Sequence, residues 1–196
     1  MKQKITTKLV ISIPPFHKST IISKLDEEGV EFLSIYDVFK EIISSAKESI
    51  KICSPFFEPN YLTELQNLLI RKAAEDVKIK IITRELCNTT DGTSRKKSVK
   101  RFIERLNTEK LKDNIKVRNY HFEGQNKNVL SSVHSKFVIS DDKKLYLGSG
   151  EFRRNSFERN FEMGIITNDF VLIKNANILF DSFFNIGVLI KNEESK

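Results

Sequence analysis

The chain has 196 residues, of which 39% are hydrophobic and 30% charged, with a formal net charge of +7. That length suits one domain with a real core, and the balance is that of a soluble globular chain. No apolar run approaches the roughly 20 residues that cross a bilayer, and the apolar stretch at 9–13 is too short to complete a secretion signal, so a cytoplasmic protein is expected.

Residues 9–13 read as a short strand stopped by Pro14-Pro15, and 19–28 as a helix or loop ended by Gly29. Apolar side chains at Ile35, Val38, Phe39, Ile42, Ile43 and Ala46 recur with helical spacing, and 50–54 follows as a strand closed by Pro55. Asn60 is placed to cap a second helix carrying Leu62, Leu65, Leu68, Leu69 and Ala73, before a strand at 77–82. Ser94 is placed to cap a third, basic helix with Val99, Phe102, Ile103 and Leu106 on its inner face, and a strand follows at 115–120. This alternation predicts an α/β fold in which a sheet with parallel strands is covered by helices. Later the pattern becomes strands at 133–139, 144–147 and 161–167, then helical spacing over 170–187. Nothing rich in Pro, Gly or Ser divides the chain. Residues 1–30 are expected as an N-terminal extension of unassigned role, 31–190 as the domain and 191–196 as a disordered tail.

Cys53 and Cys87 are 34 residues apart, without metal-ligand spacing, and read as reduced, buried thiols. Eleven Lys/Arg against five Asp/Glu between 84 and 118 supply most of the excess charge, including Arg95, Lys96, Lys97, Lys100 and Arg101 on the basic helix. Such a patch favours a polyanion, nucleic acid or an acidic membrane surface.

The most informative stretch is 133–141, followed by Gly148-Ser149. On a strand, Val133, Ser135, Phe137 and Ile139 would face a core while His134 and Lys136 project together from the other side, roughly 7 Å apart at the backbone. A neutral imidazole can attack phosphorus, and a lysine beside it can offset phosphoryl charge. Ser149 can add a donor, and Glu162 is the best-placed acceptor for the far ring nitrogen. No set of carboxylates or His/Cys side chains has metal-binding spacing, and no Gly-rich loop suits a nucleotide, so neither metal nor cofactor is expected.

The order His134-Ser135-Lys136, four residues, Asp141, six residues, Gly148-Ser149, then Glu162 in an Asn-x-Glu setting, closely resembles the signature of the phospholipase D superfamily. The resemblance runs over about 33–187 and implies the α/β fold of that superfamily, a mixed, largely parallel sheet flanked by helices. It implies further that His134 is the nucleophile, that Lys136 and Ser149 hold phosphate, that Glu162 orients the histidine, and that Asp141, with Gly148, is structural at the motif. Members build their site from two such motifs, and this chain has one. By similarity to the single-motif bacterial endonucleases, a homodimer is implied, each copy supplying one histidine.

One departure stands out: Glu151 occupies the position where the family usually has asparagine, and an ionised carboxylate repels phosphate. Either Glu151 points away and Asn155 or Asn160 supplies the amide, or the site is weakened. Arg153 and Arg154 can offset its charge and grip a flanking backbone, or be plain surface arginines. Phe152 and Phe157 are candidate platforms for a base, whereas His17 and His121 read as ordinary surface or packing histidines. The expected activity is metal-independent cleavage of nucleic acid, DNA favoured, without stable membrane association. A lipid-directed enzyme would need an interfacial apolar surface, which is not evident in the sequence, and a silent binding domain is the third reading.

Overall fold

The structure, a computed structural model, describes residues 4–84, 94–126 and 128–190, and the side chains of 94–96 fall outside what is described. Cys87 and the tail at 191–196 also lie outside the described residues. In chain order, β1 (Thr7–Ser12) leads through a 3-10 turn (Pro15–His17) into α1 (Lys18–Glu27), β2 (Leu33–Ser34), α2 (Ile35–Ser45) and β3 (Ser49–Cys53). A second 3-10 turn (Pro59–Tyr61) precedes α3 (Thr63–Ala74), β4 (Lys78–Thr83), α4 (Ser94–Thr108) and β5 (Ile115–Asn119). The remainder comprises β6 (His121–Glu123), β7 (Val129–Ser132), β8 (Phe137–Ser140), β9 (Lys144–Gly148), α5 (Arg154–Glu158), β10 (Glu162–Thr167), α6 (Phe170–Ile186) and β11 (Val188–Leu189).

Nine strands form one sheet in the order β11, β5, β4, β3, β8, β9, β10, β1, β2, and β6 and β7 form a separate hairpin. The run β5, β4, β3 is parallel, while β8, β9 and β10 return antiparallel, as expected for a mixed α/β sheet flanked by helices. Alternation along β3 explains the layering. Ile50 and Ile52 face the main core, which α2, α3 and α4 close, whereas Cys53 joins Phe180 and Phe184 of α6 on the opposite side. The helices begin where capping chemistry allows: Ser34 accepts the Asp37 N–H ahead of α2, and Asp169 accepts those of Val171 and Leu172 ahead of α6.

Two local expectations are corrected. Asn60 does not cap α3; it sits within the 3-10 turn, where its amide oxygen accepts from Gln66. The strand expected from 133 begins only at Phe137, because its partner β3 ends at Cys53 and the chain then turns through Ser54-Pro55, which removes the next ladder donor. As a result Ser135 is exposed rather than facing the core. The hairpin of β6 and β7 had no expectation, since its segments are shorter than the window over which alternation is legible. β1 lies inside the sheet between β10 and β2, with Val10 fully buried, so this part of the 1–30 segment is built into the fold. Among the described residues no helix is long and apolar enough to cross a membrane.

Candidate active site

Register places the motif residues at one end of the sheet. Phe137 pairs with Cys53 at the last rung of β3, so His134, Ser135 and Lys136 run on past the carboxyl end of that strand. Phe137 also pairs with Leu147 of β9, which sets Gly148 and Ser149 beside Lys136, and the Gly148 N–H donates to the Lys136 carbonyl at 3.2 Å. Gly164 pairs with Gly148, bringing Met163 and Glu162, at the start of β10, next to Ser149. This is the end of an open α/β sheet where ligands are expected.

Here His134 is exposed, and the Lys136 ammonium stands 3.3 Å from its Nε2 while donating to the His134 carbonyl at 2.8 Å. The charge of Lys136, then partial burial and the charge of Arg84, hold the imidazole below its ordinary value of 6.5. A ring kept neutral near pH 7 retains the lone pair that a nucleophile needs. Beneath it Cys53 donates its thiol to the Ser135 carbonyl at 3.3 Å, and burial pushes that thiol up to about 12, so it is inert.

Asp141 lies away from the imidazole, at the other end of β8. Its carboxylate accepts the backbone N–H groups of Lys47, Glu48 and Ser49 at 2.8 to 2.9 Å, and its backbone is left-handed at φ 52°. Burial opposes its charge, yet these three donors outweigh burial and hold the carboxyl below its usual range. Gly148 has no room for a side chain: an added Cβ would stand 2.5 Å from the Gly164 Cα and 2.6 Å from the Met163 carbonyl oxygen. The Ser149 hydroxyl accepts the Met163 N–H at 3.0 Å and reaches the Met163 carbonyl at 3.3 Å. Buried Glu162 accepts from Ser156 at 3.1 Å and from the amide of Asn160 at 2.9 Å; its described hydrogen bonds do not include His134. Asn160 is thus turned toward a carboxylate. The side chain of Asn155 is half-buried, and its carbonyl closes the turn after α5 by accepting from Arg159 and Asn160.

Glu151 does not point away into solvent. It is buried, accepts the Phe56 N–H at 3.2 Å and stands 3.6 Å from the Arg153 guanidinium. Burial pushes its carboxyl up, against the pull of Phe56, Lys136 and Arg153, and the charge of Glu162 adds to the rise. Arg153 and Arg154, treated alike in the sequence, separate here: Arg153 lies over the Phe56 ring, while Arg154 pairs with Glu158 on the surface of α5. Phe152 is fully buried among Phe39 and Phe57, which corrects its candidacy as a base platform, and Phe157 packs against Phe39 and Tyr36. Of the basic helix, Lys97, Lys100 and Arg101 are exposed, while the side chains of Arg95 and Lys96 lie outside the described residues. His121 is buried between Ser132 and Glu123 as a packing histidine. His17 is exposed.

An apolar surface absent from the sequence reading lies on α6. Phe170, Val171, Ile178, Leu179, Phe183 and Ile186 all exceed 40% exposure, while Ile173, Phe180 and Phe184 of the same helix are buried. Periodicity could not reveal it, because apolar residues stand on both the buried and the exposed side of this helix.

A sequence model of the family described as "Cardiolipin synthase, PLD-like domain" matches residues 39–184. The chain is 24% identical over 174 residues to the "Probable cardiolipin synthase YwiE" of Bacillus subtilis (strain 168), an alignment that takes in 83% of this chain and 31% of that protein. It is 23% identical over 163 residues to the "DISARM protein DrmC" of Bacillus paralicheniformis, across 83% of this chain and 60% of that one. It therefore spans only part of both curated relatives. Among solved structures it is similar to NucT from Helicobacter pylori, with a TM-score of 0.66 and 20% identity over 95% of this chain and 100% of that one. The phospholipase D family member Nuc from Salmonella typhimurium has the same TM-score, with 19% identity over 96% and 100% of the two chains. Phosphatidylserine synthase from Haemophilus influenzae Rd KW20 also superposes at 0.66, with 14% identity, over 97% of this chain and 41% of that one. At these identities the structural likeness is one of fold.

Proposed function

The chain belongs to the PLD-like domain family of phosphodiesterases and phosphotransferases, and from that premise we propose that it hydrolyses nucleic acid, DNA favoured, through a covalent phosphohistidine and without a metal ion. The observation that carries this reading is the exposed, neutral-leaning His134 ring with the Lys136 ammonium 3.3 Å from its Nε2. In the first step a ring nitrogen attacks phosphorus, a P–N bond forms and the bond to the leaving oxygen breaks. Lys136 offsets the phosphoryl charge, with Ser149 beside it. The leaving oxygen takes a proton from the partner's His134, which enters this step as the imidazolium and leaves it neutral. That histidine then accepts a proton from water, whose oxygen attacks phosphorus as the P–N bond breaks. Glu162 is the acceptor that holds an imidazole in the assembled site, and Asp141 and Gly148 fix the backbone around it.

Pairing of two copies is supported by α6, whose uncovered apolar face is larger than scattered single residues would give. A polyanionic substrate is supported by the +7 charge and by the exposed Lys97, Lys100 and Arg101. The same apolar face, together with similarity to a cardiolipin synthase, favours a phospholipid substrate as the second reading. Purified protein incubated in excess chelator with labelled DNA, RNA and anionic liposomes decides between them. Cleaved DNA that disappears in His134→Ala is the expected result. A lipid product in its place, or DNA cleavage that stops on chelation, would overturn the proposal.

A further inference from the structure

Three segments distant in sequence meet beside His134. The loop after β3 is tied to the 151–152 segment: Ser54 Oγ accepts the Phe152 N–H at 2.8 Å, the Phe152 carbonyl accepts the Glu58 N–H at 2.9 Å, and Glu151 accepts the Phe56 N–H. It is tied to the end of β4 as well, where the Thr83 hydroxyl donates to the Pro55 carbonyl at 3.1 Å. These bonds present the Phe56 ring to two guanidiniums, Arg84 at 4.8 Å and Arg153 at 4.9 Å from its centroid. Arg84 is near enough to His134 for its charge to depress the imidazole, and Glu151 near enough to Lys136 for the two charges to be felt.

Stacking on an aromatic face orients a guanidinium and leaves its N–H edge for hydrogen bonding. Glu151 meets Arg153 at 3.6 Å, beyond a normal hydrogen bond, and the Arg153 Nε–H is buried without a partner among the described residues. Two guanidiniums held on one ring concentrate positive charge beside the motif, which points to an anion brought by a ligand. Phosphate oxygens suit the planar fork of arginine. A single phosphodiester is already engaged by His134 and Lys136, so an acceptor here belongs to the next phosphate along a polymer.

Resting on the nuclease reading above, we propose that Arg153 and Arg84, both stacked on Phe56, with Arg153 set by Glu151, form a second phosphate subsite that takes the phosphate flanking the scissile one. Glu151 is then a positioning residue: where the family's asparagine would sit, a buried carboxylate holds the Phe56 loop and sets the angle of Arg153.

The test compares the full chain with Arg153→Gln, Glu151→Gln and the double variant on two substrates, a short single-stranded DNA oligonucleotide and bis(p-nitrophenyl) phosphate, which carries one phosphodiester. Arg153→Gln is expected to reduce the preference for the oligonucleotide, as a ratio of kcat/KM values, about tenfold, mainly through KM. In oligonucleotide binding followed by fluorescence anisotropy, the slope of log affinity against log salt should fall by about 0.7, one phosphate contact on a single strand. The double variant should lose no more preference than Arg153→Gln alone, because Glu151 acts through Arg153. Equal losses on both substrates with an unchanged salt slope would overturn the subsite. Should the intact protein bind the oligonucleotide without cleaving it, the nuclease reading fails while the salt slope still decides the subsite. Thermal melting of each variant separates these effects from loss of fold.

Discussion

Lys136 acts on its neighbour in two ways, as a charge that keeps the His134 ring deprotonated and as a donor lying over that ring's lone pair. Because the folded imidazole lies below 6.5, its neutral fraction should rise with pH through a midpoint under that value, while the partner's His134 must stay protonated to act as the acid, so turnover should pass through a maximum in pH rather than rise to a plateau. Lys136→Gln removes the largest depressing influence, so ring titration followed by NMR should shift upward toward 6.5. Glu162→Gln keeps the shape of the side chain but weakens it as an acceptor, and kcat is expected to fall at least about a hundredfold. Near-normal turnover would remove Glu162 from the mechanism. Asp141 belongs to stability instead. Its folded carboxyl is depressed, so its contribution is complete above the unfolded value of about 3.9 and is lost as pH falls through the lower folded one. Asp141→Asn should cost about 2 kcal/mol in urea unfolding at pH 7, and that difference should vanish in strong acid.

The strand pair β9 and β10 is built around two glycines. Gly148 and Gly164 face one another so closely that a Cβ on either would overlap the opposite backbone, at 2.5 Å and 2.7 Å respectively. The approach brings Ser149 against the Met163 backbone and leaves Glu162 one residue further on. Gly148→Ala must part the strands, and a loss of about 1–3 kcal/mol in denaturant titration is expected, with activity falling more steeply than stability. Strand β8 shows the opposite economy. Only four residues pair, so the motif just ahead of it is held by single bonds, among them Val133 N–H to the Tyr120 carbonyl at 3.1 Å.

At the scale of the whole molecule, the sheet is covered unequally, by α2, α3 and α4 on one face and by α6 on the other. Leu179 on the outer side of α6 is 58% exposed, so Leu179→Glu should leave the monomer folded. If α6 joins two copies, that change should give a monomer by light scattering and remove activity with it. A variant that stays dimeric would place the interface elsewhere.

What the sequence determined by itself were the features written in short-range order. Helical spacing over Ile35, Val38, Phe39, Ile42 and Ile43 marked a buried face, and the spacing from His134 through Lys136, Asp141 and Gly148-Ser149 marked the chemistry, since neighbours on adjacent strands need few residues between them. What tertiary structure alone decided is which distant side chains share a surface. Phe56, Arg84, Glu151 and Arg153 come from three separate segments, and no periodicity links them. The exposed side of α6 was equally hidden, because an apolar residue declares its preference for burial but not whether the rest of the chain extends far enough to cover it.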